Sequence, residues 1–199
     1  MSTEPSAFDA AYYHRFYENP RTRSVSEPEV EQHVAFVCAY LRHLGIPIRH
    51  VLDMGCGIGI MREPLAQHLP SARYHGVDHS AYACERFGWQ QASVVDYAPS
   101  RRFDLVICHD VLQYLGHRDA DRALTNLAAL CSHAMLLAVL TREDWSDDSY
   151  DPKRTDTAVQ LRSTRWYRTR LRPHFVNVGG GLFLKRDRAP VLWSLEHLD

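Results

Sequence analysis

The segment HVLDMGCGIGI, residues 50–60, places three glycines in five positions directly behind an apolar run that predicts a buried strand. Glycine loses much backbone entropy on folding, so glycines clustered at a strand-to-helix turn indicate special backbone angles or a ligand close to the main chain. Gly55, Gly57 and Gly59 follow the order G-x-G-x-G, which departs from the G-x-G-x-x-G dinucleotide fingerprint. Asp53 at the strand end disfavours a pyrophosphate by charge repulsion and suits a ligand with an ammonium group.

Apolar periodicity alternates between strand and helix over residues 28–140. Several of the expected strands are apolar on both faces, which is typical of a mostly parallel sheet covered by helices. The expected helices are residues 28–44, 59–69, 80–88 and 119–131, and the expected strands are residues 49–54, 72–78, 92–96, 103–109 and 134–140. This pattern predicts an α/β fold around a doubly wound sheet.

The end of the chain predicts an antiparallel hairpin on one edge of that sheet, which brings it to seven strands. The two strands are expected within residues 174–186 and 190–198, joined by a turn at Asp187–Ala189. We interpret Gly179–Gly181 as a bulge or bend in the first strand. A hairpin turn at these glycines is the alternative.

Composition limits the classes of protein to consider. The chain has 199 residues, 45% of them hydrophobic, and a net charge of -1, so no global field attracts nucleic acid or an anionic membrane. Its five cysteines form no CxxC pair, which favours a reduced, cytoplasmic protein without disulfides or a zinc site. The twelve histidines include no HExxH motif, so a metal is disfavoured. The longest apolar stretch, residues 134–140, is too short to span a membrane.

Acidic residues stand at the ends of three successive expected strands. Asp53 is placed to accept from an ammonium group, and Asp78 is placed to accept both hydroxyls of a ribose. Asp96 follows the third strand, where it would accept the amino group of an adenine. Together these three acceptors describe S-adenosylmethionine as the ligand.

Four motifs in order carry a family resemblance: VLDMGCGIG, YHGVDHS, SVVDYAP and FDLVICHDVLQYL. They resemble the class I S-adenosylmethionine-dependent methyltransferases over residues 48–140, and that family implies a Rossmann-like fold. The resemblance assigns the methionine part of the cofactor to Asp53, Gly55, Cys56, Gly57 and Gly59, the ribose to Asp78 and His79, the adenine to Asp96 and Tyr97, and the surroundings of the methionine moiety to Cys108 and His109.

We expect one domain over residues 1–199. Within it, residues 1–47 are expected to form a helical cap and residues 48–140 the cofactor-binding core. Residues 141–172 would supply a loop and helix on the substrate side, and residues 173–199 the terminal hairpin.

The segment CHDVLQYLGHRD, which follows the fourth strand, holds the candidates for chemistry. A base near the transferred methyl group helps hydroxyl acceptors, and His109, Asp110 and Tyr114 are the candidate catalytic residues. The alternative is a buried turn whose polar residues cap it, with catalysis by alignment alone.

Two aromatic residues are candidates for the acceptor pocket. Tyr13 belongs to an aromatic cluster near the N-terminus, and Trp145 lies in the long acidic loop 141–158. We expect this loop to close over a small metabolite as a lid.

A basic helical face is expected over residues 161–172, with arginines at positions 162, 165, 168 and 172. It is interpreted as a solvated face, with an anionic substrate or RNA as the alternative.

The sequence therefore predicts a methyltransferase acting on an O, N or C nucleophile of a small molecule. The alternatives are a cofactor-binding protein without turnover and a methyltransferase acting on RNA or protein.

Overall fold

A computed structural model describes residues 8–24, 26–147 and 150–198. Its centre is a seven-stranded sheet with the order β3-β2-β1-β4-β5-β7-β6. The strands are β1 His50–Met54, β2 Arg73–Asp78, β3 Gln90–Gln91, β4 Phe103–His109, β5 Cys131–Ala138, β6 Phe175–Asn177 and β7 Leu182–Lys185. Strands β1 to β5 pair in parallel, and β7 runs antiparallel to both β5 and β6. The predicted doubly wound, mostly parallel sheet with an antiparallel end is confirmed.

Helices cover both faces of the sheet. They are α1 Ala10–Tyr13, α2 Glu27–His43, α3 Arg62–His68, α4 Ala81–Phe87, α5 His117–Leu130, α6 Arg142–Ser146 and α7 Thr164–Leu171. A π-helical turn, His14–Glu18, extends α1, and a short 3-10 turn, Leu112–Tyr114, follows β4. None of the described helices is long and apolar enough to cross a membrane.

The side chains of β4 point alternately to the two faces of the sheet, and this explains why a hydrophobic layer lies on each face. Leu105 and Ile107 pack with α2 and α3 on one face, whereas Val106 and Cys108 pack with α5 and α7 on the other. Successive side chains of a strand point to opposite faces, so a strand between two helical layers must be apolar throughout. This is why β4 reads as a continuous apolar run.

The third strand is shorter and earlier than its sequence predicts. Gln90 and Gln91 pair with the end of β2, whereas residues 94–96 form a turn. Asn126 of α5 donates to the carbonyls of Val94 and Tyr97, at 3.0 Å each, and so holds this turn against the helix. The valines favour a strand locally, but packing against α5 overrides that preference.

The terminal hairpin turns at the glycines, so the interpretation of Gly179–Gly181 as a bulge is wrong and its alternative is right. These glycines have φ values of +85°, +58° and +75°, which L-residues rarely adopt, and β6 and β7 flank them. Residues 190–198 form no second strand, and their one β-bridge joins Leu198 to Asn177.

Candidate functional site

The strand order reverses between β1 and β4, and the glycine loop lies at this point. β2 and β3 follow β1 on one side, and β4 and β5 extend the sheet on the other. In open α/β sheets, ligands bind outside the carboxyl ends of the strands at this crevice. Asp53, Asp78 and His109 stand at the carboxyl ends of β1, β2 and β4.

The three glycines of the loop adopt positive φ angles, and each lacks room for a side chain. A Cβ on Gly57, where φ is +52°, would lie 3.3 Å from Cε1 of Tyr13. A Cβ on Gly55 would lie 2.2 Å from Val111, and one on Gly59 would lie 2.6 Å from Trp89. Backbone angles and close packing therefore both require glycine here.

Two adjoining cavities, of about 190 and 280 Å³, open on this loop. We call them the methionine-side cavity and the ribose-side cavity, after the parts of the cofactor that the sequence analysis assigns to Asp53, which lines the first, and to Asp78, which lines the second. Six residues line both: Tyr12, Tyr17, Gly55, His109, Asp110 and Tyr114. The shared lining makes one elongated site.

Asp78 is buried and held by backbone donors. Its Oδ2 accepts from the N–H of Gly57 at 2.7 Å, and its Oδ1 accepts from the N–H of Ser80 at 2.8 Å. A carboxylate oxygen has more than one acceptor position, so these bonds orient the group and leave capacity for hydroxyl donors from the ribose-side cavity.

Asp53 is almost completely buried at the end of β1. The hydroxyl of Tyr74 donates to its Oδ2 at 2.6 Å. Burial raises the pKa of Asp53 to about 6, although the Tyr74 hydrogen bond acts in the opposite direction. An ammonium group beside it would favour the ionised form, so this carboxylate suits a cationic ligand group.

His109 and Asp110 form an ion pair that faces both cavities. Nδ1 of His109 lies 3.0 Å from Oδ2 of Asp110, and Nε2 of Gln113 donates to the other oxygen at 3.2 Å. Burial lowers the pKa of His109, but the hydrogen bond and charge of Asp110 outweigh burial and raise it above 6.5. With a proton held on Nδ1 by the carboxylate, Nε2 of a neutral His109 is an acceptor.

Tyrosines from the N-terminal segment cover the site. The hydroxyls of Tyr12 and Tyr114 lie 2.9 Å apart, and Tyr13 stacks on Tyr82 at 5.7 Å. Burial raises the pKa of Tyr12, and the neighbouring Tyr114 and Asp156 raise it further. These phenols are therefore neutral donors and acceptors at ordinary pH.

Most of the predicted site residues line the two cavities. They are Tyr13, Asp53, Gly55, Cys56, Gly57, Asp78, His79, His109, Asp110 and Tyr114. Burial raises the pKa of Cys56, so its thiol stays protonated and is a poor nucleophile.

Five predicted residues do not line either cavity. Gly59 packs against Trp89, and Cys108 is fully buried in the core beneath the site. Asp96 is exposed in the turn after β3, where Ala92, Ser93 and Val94 line the ribose-side cavity instead. The shorter β3 causes this difference, because the chain turns away before it reaches Asp96.

Tyr97 is the fourth residue outside the lining, and it is buried with its hydroxyl donating to Gln90 at 3.1 Å. Trp145 is the fifth, and its ring stacks on Tyr150 with centroids 4.3 Å apart. The loop 141–158, whose residues 148 and 149 lie outside the described residues, reaches the methionine-side cavity through Thr155 and Asp156 instead. Trp145 therefore lines neither of the two cavities, and its contact with the acceptor stays a prediction.

Among the lining residues that the sequence analysis did not single out, four bear on the chemistry of the site: Tyr12, Tyr17, Gln113 and Asp156. Tyr12 and Tyr17 belong to the aromatic cluster around Tyr13, and that cluster was the available signal. Gln113 and Asp156 have no signal in the sequence, because an isolated glutamine or aspartate in a loop is common.

The predicted basic face divides in two. Arg162 is buried rather than solvated, and it donates to the carbonyls of Leu112 and Gln160, at 3.1 Å each, and of Leu115. Arg165, Arg168 and Arg172 are exposed, and together with the hairpin they line a separate cavity of about 690 Å³. That cavity shares no lining residue with the two at the glycine loop.

Comparisons with known proteins agree with this geometry. A family described as a methyltransferase domain matches residues 52–134. A trans-aconitate 2-methyltransferase of Acidovorax ebreus is 34% identical over 118 residues, which are 55% of this chain and 41% of the relative. A ubiquinone biosynthesis O-methyltransferase of Coxiella burnetii is 33% identical over 94 residues, which are 41% of this chain and 38% of the relative.

A solved structure shares the fold over most of its length. The magnesium protoporphyrin IX methyltransferase of Synechocystis, crystallised with bound SAH, has a TM-score of 0.63 and 19% identity, covering 89% of this chain and 96% of that one. The chain spans between about a quarter and just over half of the length of three curated relatives that it matches, at 26%, 41% and 56%.

Proposed function

We propose that the chain is a class I S-adenosylmethionine-dependent methyltransferase, an enzyme that transfers a methyl group from S-adenosylmethionine to a small-molecule acceptor. The observation that carries this proposal is the elongated site that runs from Asp78 past Asp53 to the His109–Asp110 pair. The cofactor supplies an electrophilic methyl group on a sulfonium.

The donor and acceptor groups of the site fit this cofactor. Asp53 would hold the ammonium group, since a buried carboxylate with a raised pKa gains most from a cation beside it. Asp78 would accept the ribose hydroxyls, and Ala92, Ser93 and Val94 would lie along the adenine. Gly57 provides the close approach to the main chain that a side chain would fill.

His109 is the group best placed to take a proton from an acceptor. Asp110 orients its ring and raises its pKa, and both residues line the two cavities. A base with a pKa near the working pH accepts a proton well and is neutral often enough to do so. Tyr114 would align the acceptor through its hydroxyl, which Tyr12 holds in place.

The small volume of the site supports the proposal of a small-molecule acceptor. The methionine-side cavity measures about 190 Å³ and is lined by Tyr12, Tyr17, Thr155 and Asp156, and beyond it, within the described residues, only an outer cleft of about 440 Å³ is left for the acceptor. A nucleic acid or a folded protein would need an open groove at this point. The expectations of a cytoplasmic protein and of an acceptor other than nucleic acid are part of this proposal.

The test is formation of S-adenosylhomocysteine from S-adenosylmethionine with a panel of small amines, phenols and carboxylates. The proposal expects acceptor-dependent product, absent in a Gly57→Val variant. Cofactor binding without product from any acceptor would favour the alternative of a binding protein without turnover.

A further inference from the structure

Carboxylates dominate the charged lining of the site. Among the residues that the structure describes, Asp53, Asp78, Asp110 and Asp156 line the two cavities, and no lysine or arginine does. A field of one sign favours ligands of the opposite charge and disfavours like-charged ones.

Three of these carboxylates are already engaged. Asp53 accepts from Tyr74, Asp78 accepts from two backbone N–H groups, and Asp110 pairs with His109. Asp156 differs, because only its Oδ1 is bonded, to the N–H of Ala158 at 2.9 Å. Within the described residues, its Oδ2 has no hydrogen-bond donor.

Asp156 also stands where the site opens. An outer cleft of about 440 Å³ shares Tyr12, Tyr114, Thr155 and Asp156 with the methionine-side cavity. An acceptor that enters from this cleft passes residues that line both cavities, among them Asp156 and the two tyrosines. The carboxylate lies close enough to both hydroxyls for its charge to raise the pKa of Tyr12 and of Tyr114.

Aromatic rings beside a carboxylate suit a cation. A cation over an aromatic face is attracted by the negative face of the ring, and a charge-assisted hydrogen bond to a carboxylate adds to this. Two basic side chains of the neighbouring segments have other partners. Arg15 lies 4.8 Å above Phe16 in the outer cleft, and Nε of Arg154 donates to the carbonyl of Arg23 at 2.7 Å.

We propose that the methyl acceptor is a molecule that carries a protonated amine in solution, and that Oδ2 of Asp156 binds this ammonium group, which is not itself the methylated atom, beside Tyr12 and Tyr114. This inference rests on the proposed methyltransferase function and adds the charge class of the acceptor. It separates the chain from its relative named for trans-aconitate, since a polycarboxylate would meet the carboxylates of Asp53, Asp110 and Asp156 in this lining.

Three matched probes test the charge class by binding rather than by turnover. Tyramine, 2-(4-hydroxyphenyl)ethanol and 4-hydroxyphenylacetate share one phenol body and differ in carrying an ammonium, a neutral hydroxyl or a carboxylate. Each is titrated by calorimetry into the protein saturated with S-adenosylhomocysteine. We expect tyramine to bind at least about tenfold more tightly than 4-hydroxyphenylacetate, with the alcohol between them.

Asp156→Asn should reduce the affinity for tyramine to that for the alcohol, because the amide keeps the bond to Ala158 but loses the charge. Asp147→Asn makes the same change of charge at an exposed position outside both cavities and should leave the order unchanged. Tighter or equal binding of the carboxylate, or no binding of any probe at millimolar concentration, would overturn the inference. If S-adenosylhomocysteine itself did not bind to the wild-type protein, that result would instead contradict the proposed function.

Discussion

The carboxylate of Asp78, at the end of β2, accepts a hydrogen bond of 2.7 Å from the backbone N–H of Gly57, in the loop after β1. Two neighbouring strand ends are thereby joined, although 21 residues separate them along the chain. The bond fixes the glycine loop and orients the carboxylate that we assign to the ribose. The same side chain therefore serves the fold and the proposed cofactor site.

Replacement of Asp78 by alanine should weaken binding of S-adenosylmethionine by about 2–3 kcal/mol, because it removes charge-assisted bonds to two hydroxyls. Calorimetry with the folded variant measures this. Asp96→Ala is the matched control, since Asp96 is exposed and lies outside both cavities. Equal affinities for the two variants would show that Asp78 does not hold the ribose.

Gly57→Val should abolish cofactor binding. The new Cβ would lie 3.3 Å from Tyr13, and the branched side chain would then occupy ligand space at a φ of +52°. Gly88→Val is the control that separates backbone strain from blocking of the ligand site. Gly88 also has a positive φ, +75°, but a side chain there would meet only open space. Both variants should lose stability on the order of 1–2 kcal/mol, and only Gly57→Val should lose binding; retained binding there would refute a ligand at the loop.

Asp110→Asn should lower the pKa of His109. In the wild type, the hydrogen bond and charge of Asp110 hold that pKa above 6.5, against the lowering effect of burial. With a neutral amide, burial prevails and the pKa falls below 6.5. Asparagine also tolerates the φ of +57° at this position.

NMR titration of the histidine ring protons measures this change, and His109→Ala identifies the relevant signal. The proposed base must be neutral to accept a proton, so the rising limb of any pH–rate profile should move to lower pH in Asp110→Asn. An unchanged His109 pKa in that variant would contradict the proposed role of the pair.

Arg162→Ala should destabilise the fold. Arg162 donates to the carbonyls of Leu112 and Leu115 in the turn that carries Gln113 and Tyr114, and without it both carbonyls lose a charged donor. We expect a loss of about 3 kcal/mol in the free energy of unfolding, measured in urea. Arg165→Ala, at an exposed position, should lie within about 0.5 kcal/mol of the wild type, and a similarly small change for Arg162→Ala would be inconsistent with the buried contacts.

Local signals in the sequence were sufficient for the fold and for part of the site. The glycine loop could be predicted because its spacing and its preceding strand are contiguous in the chain. Asp78 could be predicted because strand ends of a parallel sheet meet at one edge. The first signal depends on residues that are neighbours in the chain, and the second depends on the rule that ligands bind at the carboxyl ends of parallel strands.

Long-range packing decided which predicted residues lie outside the two cavities. Asp96 lies outside the lining because α5 captures the residues after β3, which no local pattern indicates. Trp145 stacks on Tyr150, whereas Asp156, eleven positions further on, reaches the cavity. The path of a long loop depends on tertiary contacts, so its sequence could not identify which residue faces the site.

Calorimetric titration of S-adenosylmethionine into the wild-type protein tests the central claim most directly. The account predicts one site per chain with a Kd in the micromolar range, about 8 kcal/mol of binding free energy. The absence of both heat and a thermal shift at millimolar cofactor would contradict it.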